Sequence, residues 1–322
     1  MTKKLWALLL PFLYMVTLAQ SPKTVLVEHF TNTKCSICAS RNPGFYSTLD
    51  NYPQVIHIAF HPSSPYSNCY FSLQNPVPND ERTKYYGAFG ATPRAVLNGK
   101  LLAGANPLIN ATTIDTALNQ TSPVEISATE QLVSADSVIV RVVVRTTGNL
   151  PAPQLLLFAG AVQDTVQYSA GNGEQLHHDV FRWELSKIKG DTINTPALND
   201  SAVFNFAYRI QSGWNAAAMN TICWLQLPDT KQVLNAAKSQ RVSVPSAIND
   251  ITAETFTLYP NPVKSELHIG LPVTQQGAVV DIYNALGSKI YTGSNTVITT
   301  TNWAGGFYFV RVGNVVKRIV KE

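Results

Sequence analysis

The sequence is informative first in what it lacks. Its 24 basic and 20 acidic residues leave a formal net charge of +4 over 322 residues. No Lys/Arg-rich run or basic stripe appears, so the electrostatic footprint of a nucleic-acid binder is missing. Past the first 19 residues no stretch offers the roughly 18 apolar residues of a membrane-spanning helix. Cysteine is scarce, with four in all, and only Cys35 and Cys38 form a CxxC. A zinc site on that pair needs two more ligands. His57, His61, Cys69 and the pair His177–His178 are the candidates. Only His57 and His61 have a standard spacing, and they straddle a strand end. No metal or other cofactor is therefore expected.

The N-terminus is an address label. Lys3 and Lys4 precede an apolar stretch from Leu5 to Ala19 that only Pro11 and Thr17 interrupt. A charged start, a short apolar run and a small-residue exit make a secretory signal peptide, 1–19. A hydrophobic first helix is the alternative. The residue after the cut is Gln20 and not cysteine, which argues against a lipid anchor there. Loss of two lysines takes the charge from +4 to about +2. About 300 residues remain, enough for two or three domains with their own cores. Export leads to a compartment where disulfides persist, and four cysteines allow three pairings.

Three composition regimes follow. In residues 22–120, strand-like "TVLVEHF" (24–30), "QVIHIAF" (54–60) and "RAVLNGK" (94–100) alternate with helix-like segments. "CSICASRNPGFYSTLDNY" (35–52) reads as a helix start with Pro43 as a kink or break. A polar, proline-rich stretch (61–80) leads to a short helix, "ERTKYYGAF", and "TTIDTALNQ" (112–120) reads as another. This alternation predicts an α/β domain. In residues 121–243, "VEISATEQLV", "SVIVRVVVRTT", "LLLFAGAVQ", "AVFNFAYRI" and "TICWLQL" are strand-length, several with period-two alternation. They predict an antiparallel β-sandwich, with one or two helical turns at "TKQVLNAAK". A Ser/Pro/Asn/Asp-rich linker, 244–255, separates these from 256–322, a meander of short strands sufficient for a small all-β sandwich.

A CxxC at a helix start places the first sulfur where unpaired backbone N–H groups and the helix dipole favour an anion. Cys35 is then the attacking thiolate, with Lys34 beside it as a further source of positive charge. Cys38, one turn on, resolves the mixed disulfide. An inert structural disulfide is the competing reading, but so small a loop gains little chain entropy from closure. Cys69 and Cys223 are open to three readings: a pair tying 61–80 to the sandwich, buried free thiols, or Cys69 as an extra redox partner.

"VLVEHFTNTKCSIC" resembles the first strand and active-site loop of thioredoxin-like proteins, and "FGATPRAVLNGK" resembles their cis-proline loop and following strand. The resemblance implies a cis Thr92–Pro93 bond beside the cysteines, with the Thr92 backbone free to pair with a substrate strand. Glu28 lies one residue further from the cysteines than the buried acid of thioredoxins. It either assists proton transfer at Cys38 or sits solvated at the strand end. The candidate catalytic set is therefore Cys35, Cys38, Thr92, Pro93 and Glu28. Ser36–Ile37 departs from the Gly-Pro of thioredoxin itself, which leaves the redox direction open.

Over residues 24–240, "VEHFTNTKCSIC", "YYGAFGATPRAVLNGK", "LLLFAGAVQDTVQY", "HHDVFRWELSKIKG" and "WLQLPDTKQVLNAAK" together resemble the Omp28-related outer-membrane protein family. That implies a thioredoxin-like domain followed by a β-sandwich. "LYPNPVKSELHI", "VDIYNALGSKIY" and "WAGGFYFVRV" with "VVKRIVKE" resemble the type A C-terminal sorting domain of type IX secretion substrates. The implied partner is the outer-membrane translocon, with delivery to the cell surface or medium and cleavage in the linker. An adhesive β-module is the other reading of this tail. Two functions follow: a thiol–disulfide oxidoreductase acting on exported proteins, or a non-enzymatic surface module with a resting CxxC disulfide.

Overall fold

The computed structural model describes residues 21–242, 256–272, 275–285, 288–313 and 315–322. The expected signal peptide and linker lie outside these residues. The chain divides into two compact units, Met1–Val244 and Pro245–Glu322.

The first unit opens with β1 (Ser21–Pro22), β2 (Leu26–Phe30), α1 (Ser36–Leu49), β3 (Ile56–Phe60), α2 (Tyr70–Gln74), α3 (Pro76–Tyr85), β4 (Arg94–Leu97), β5 (Lys100–Leu101) and α4 (Ala111–Leu118). Helix α1 carries the chain back between β2 and β3, so these two strands pair in parallel. On the other side of β2, β4 pairs antiparallel and turns at once into β5. Asn98 and Gly99 make that turn with φ of 46° and 87°, the double left-handed geometry of a tight hairpin. Pro43 sits inside α1 and the helix runs on through it. The proline-rich stretch is not a loop throughout, because α3 begins at Pro76. A proline in the first helical turn gives up an N–H that has no partner there in any case.

Beyond residue 120 strands dominate: β6 (Thr121–Ser122), β7 (Val124–Leu132), β8 (Ser137–Thr146), β9 (Gln154–Gln167), β10 (Leu176–Glu184), β11 (Asp191–Asn194), β12 (Ser201–Arg209), β13 (Met219–Gln226), β14 (Val233–Lys238) and β15 (Gln240–Arg241). The segment expected to add helical turns is strand β14, which pairs along β13. Tertiary pairing overrides the helical preference of its alanines. The main sheet runs β14-β13-β9-β10-β3-β2-β4-β5, with β11 added on β9. Its halves join where Val180 of β10 pairs in parallel with Ala59 of β3, so 22–120 and 121–243 share one sheet.

A second sheet, β12-β8-β7-β15, packs over the β9–β13 end of the first. Val138, Val140, Val142 and Val144 alternate inward from β8 to meet Leu155, Leu157, Ala159 and Leu225. Each of these valines and leucines contributes about 1.5–3 kcal/mol by leaving water. At the other end of the main sheet, Val25, Val27, Ala95 and Leu97 are covered by Phe45 of α1 and by Ile114 and Ala117 of α4.

The second unit comprises β16 (Thr257–Tyr259), β17 (Glu266–Gly270), β18 (Val280–Asn284), β19 (Lys289–Gly293), β20 (Val297–Thr299), β21 (Gly306–Val312) and β22 (Val315–Lys321). They form sheets β16-β17-β20 and β19-β18-β21-β22 around a shared core of Phe256, Leu267, Ile269, Ile282, Val310 and Ile319. Asp281 on β18 binds Lys289 at 3.0 Å, Arg311 at 2.5 Å and Thr292 at 2.7 Å.

The β4–β5 turn is also where the two halves of the first unit touch. Asn98 accepts from Leu26 N–H at 2.9 Å, and its own carbonyl accepts from Val233 N–H at 3.0 Å. A methyl group at Gly99 collides with the Lys231 carbonyl oxygen. Gly99→Ala is expected to cost about 1–3 kcal/mol for overpacking and about 1 kcal/mol more for left-handed backbone. Urea unfolding of the full chain reads this as a lower midpoint. An unchanged midpoint would mean that the turn is not packed against that loop.

Candidate functional site

Strand pairing brings the two sequence motifs together. β2 and β4 align with Phe30 opposite Arg94 and Val27 opposite Leu97. The chain leaving β2 at residue 31 and the chain entering β4 at residue 93 therefore lie at the same end of neighbouring strands. Thr92–Pro93 is a cis peptide. Cys35 Sγ lies 3.6 Å from the Thr92 carbonyl oxygen, to which it can donate only when protonated. Cys35, Cys38, Thr92 and Pro93 are thus one constellation.

Cys35 caps α1. Its backbone is extended, and its Sγ accepts from the Cys38 N–H at 3.1 Å, one of the helix N–H groups with no partner within the helix. The Cys35 thiol is lowered to about 6. The hydrogen bond from the Cys38 thiol is the largest cause. Burial opposes it, and Thr92 with the N–H groups of Cys38 and Ile37 adds to it. Cys38 is fully buried and is pushed strongly upward, by burial first and then by the hydrogen bond and charge of Cys35. One thiol is therefore an anion at neutral pH while its neighbour keeps its proton. Lys34 packs its side chain against Gly171, and the pull on Cys35 comes from hydrogen bonds.

Glu28 takes neither expected role. β2 is buried on both faces. Leu26 and Phe30 face a core with Phe60, Val96, Phe158 and Trp224, whereas Val25 and Val27 face α1. By the period of two, Glu28 belongs to the first face, away from the cysteine helix. It is fully buried and held by Arg82 Nε at 2.6 Å, Arg82 Nη2 at 2.9 Å and the Tyr86 hydroxyl at 2.7 Å. The Arg82 guanidinium lies 4.4 Å from the Phe158 ring and 4.9 Å from that of Trp224. The β2 residue on the α1 side is His29, whose ring lies 4.3 Å from Phe45. Burial lowers its imidazole well below the usual range, so it is neutral.

Four residues at the site carry no local motif. Thr31 and Asn42 are buried, Asn42 one turn after Cys38 on α1, and Asn172 and Glu174 come from the tip of the β9–β10 hairpin. Asn172 N–H donates to the Thr33 carbonyl at 3.1 Å, and Asn172 Nδ2 donates to the Cys35 carbonyl at 3.0 Å. Asn42 Nδ2 donates to Thr31 Oγ1 at 2.9 Å and to Glu174 Oε1 at 2.7 Å. More than 130 residues separate Asn42 from Glu174, so only the fold reveals the pair.

The other two cysteines are buried, unbridged and in different surroundings. Cys69 Sγ accepts from the N–H and hydroxyl of Thr33 at 3.4 and 3.3 Å. Cys223, on β13, donates to the Ala237 carbonyl at 3.7 Å. Among the described residues no group of three or more His, Cys, Asp or Glu side chains could hold a metal ion. Among those same residues, no helix is long and apolar enough to cross a membrane.

Comparison with known proteins bears on both units. Residues 257–322 match the secretion system C-terminal sorting domain. HBP35 of Porphyromonas gingivalis shares the fold, with a TM-score of 0.59 at 17% identity over 94% of this chain and 98% of that one. A domain of the outer membrane lipoprotein Omp28 from the same organism covers 38% of this chain and 90% of its own, with 14% identity and a TM-score of 0.29. That score is too low to carry an argument. No curated protein matches the chain by sequence. The C-terminal unit is thus a type IX sorting domain. It directs this protein through the type IX secretion system to the cell surface or medium.

Two outcomes test the site geometry. Thiolate is the reactive form, so alkylation of Cys35 by iodoacetamide should rise through a midpoint near pH 6 and then level off, with Cys38 unmodified at neutral pH. A profile that climbs only near the free thiol value of about 8.5 would remove the helix-cap stabilisation. Glu28→Ala leaves Arg82 as an unpaired buried cation and should cost about 3–5 kcal/mol in urea unfolding. The Cys35 alkylation profile should not move. If that profile shifts with Glu28, the carboxylate acts on the cysteines after all.

Proposed function

We propose that this exported protein carries out thiol–disulfide exchange on proteins outside the cell, through a thioredoxin-like site in residues 22–120. One observation carries the reading. The Cys35 sulfur takes the Cys38 N–H at the start of α1 and lies 3.6 Å from the carbonyl of the cis Thr92–Pro93 bond. The strand order β3-β2-β4-β5, with α1 connecting parallel β2 and β3, supports it.

In the reductive direction, the Cys35 thiolate attacks one sulfur of a substrate disulfide. A mixed disulfide forms and the first substrate thiolate leaves. Cys38 gives its proton to solvent, attacks the Cys35 sulfur and expels the second substrate thiolate. The dithiol loses two electrons and the substrate gains them; the reverse sequence oxidises a substrate dithiol. Thr92, next to Pro93, is the backbone that pairs with an extended substrate segment. No further cofactor is needed for these steps.

One observation favours a second reading, a surface module whose CxxC rests as a disulfide: only 1% of Cys35 is exposed. Insulin reduction by dithiothreitol separates the two. The wild-type chain should accelerate it and Cys35→Ser should not. Equal rates, with a CxxC that resists mild dithiols, would leave the scaffold reading standing.

A further inference from the structure

The resolving step poses a problem that the cysteines do not solve themselves. Cys38 is fully buried, and it must become an anion to attack the Cys35 sulfur. Something must offer a proton donor to that sulfur as its charge develops. The Thr31 hydroxyl lies against the buried face of α1 that carries Cys38: it takes the amide of Asn42, one turn on from Cys38 on the same helix. A hydroxyl has one proton and two lone pairs, and what its proton faces depends on what already occupies its oxygen.

Asn42 decides this. Its amide nitrogen donates to Thr31 Oγ1 at 2.9 Å and to Glu174 Oε1 at 2.7 Å. Thr31 and Asn42 are 3% and 2% exposed, so water does not compete freely for either. Turned over, the Asn42 amide would present its oxygen to both neighbours. Thr31 would then aim its proton at Asn42 and away from Cys38. Glu174 forbids that orientation, because a carboxylate accepts and cannot donate. Glu174 is itself held by Asn172, whose Nδ2 meets its Oε2 at 2.6 Å and the Cys35 carbonyl at 3.0 Å.

We propose that Glu174, on the β9–β10 hairpin, is a positioning residue for the resolving thiol: it fixes the Asn42 amide, which turns the Thr31 hydroxyl proton onto Cys38. The proposal rests on the thiol-exchange reading and adds a residue from outside the cysteine segment to that site.

A single-turnover reaction of the full chain with Ellman's reagent tests it. Cys35 thiolate bonds to one reagent sulfur and expels one aryl thiolate. Cys38 then loses its proton to solvent, attacks Cys35 and expels the second. The dithiol is oxidised by two electrons and the reagent is reduced to two thiolates. Acid quenching and mass mapping separate the Cys35 mixed disulfide from the Cys35–Cys38 bond, whatever Cys69 and Cys223 do.

Thr31→Val should leave the first step unchanged and slow the second about tenfold, the loss expected for one hydrogen bond to a developing anion. Thr31→Ser should restore it. Asn42→Asp, which turns the hydroxyl towards a carboxylate, should slow the second step at least as much as Thr31→Val. Glu174→Ala should slow it severalfold, and Glu174→Gln, which can still accept from Asn42, should slow it less. A second step unaffected by Glu174→Ala, or both steps slowed equally, would overturn the proposal. A wild-type chain that ignores insulin defeats the proposed function and not this role, because the aryl disulfide reads Cys38 directly.

Discussion

Phe30 lies opposite Arg94 across two antiparallel strands, and the chemistry at this site depends on that register. A slip of one residue would turn every β4 side chain to the other face of the sheet. It would also draw the Thr92 carbonyl away from Cys35. The register is pinned at one end by Asn98, which exchanges hydrogen bonds with the Leu26 backbone, and along its length by burial of Val27, Ala95 and Leu97 under α1 and α4. The reactive pair is thus positioned by ordinary packing some distance from the sulfurs. The fine electrostatics at Cys35 come last, from the Cys38 thiol first and then from Thr92 and the N–H groups at the start of α1.

The buried Glu28–Arg82 pair shows how that packing extends beyond the first 120 residues. Arg82 rises from α3 between Tyr85, Tyr86, Phe158 and Trp224. Two of those rings belong to the later strands. Gln226 of β13 donates to the Tyr86 hydroxyl at 2.8 Å, and this hydroxyl also serves Glu28. A buried charge pair is a weak source of net stability. It is, however, demanding about geometry, because each polar atom left without a partner is costly. The network therefore fixes how α3, β2 and β13 fit together more than it stabilises their union.

The cysteine pair, the Thr-Pro before a strand and the sorting tail were legible in the sequence because each is a local pattern. The strands with clean alternation, such as β8, were legible for the same reason. Glu28 was misplaced because alternation separates it from His29 but does not say which face receives α1. The helix starting at Pro76 was hidden by prolines that read as loop. Strand β14 was hidden by alanines whose preference yields to pairing with β13. Asn42, Thr31 and Glu174 are common polar residues in unremarkable surroundings, and they acquire meaning only when the hairpin tip meets the helix.

That meeting has a consequence for a chain that is made from one end and exported. Residues 31–42 leave the ribosome long before residue 174, yet the helix that carries both cysteines is fastened by Asn172 and Glu174. Until the later strands arrive, the CxxC segment lacks part of its final wall. An early fragment ending near residue 120 accordingly lacks the hairpin that holds the cysteine segment in place. The segment that carries the two thiols gains its last contacts only once residues 172 and 174 have been made and their hairpin has docked.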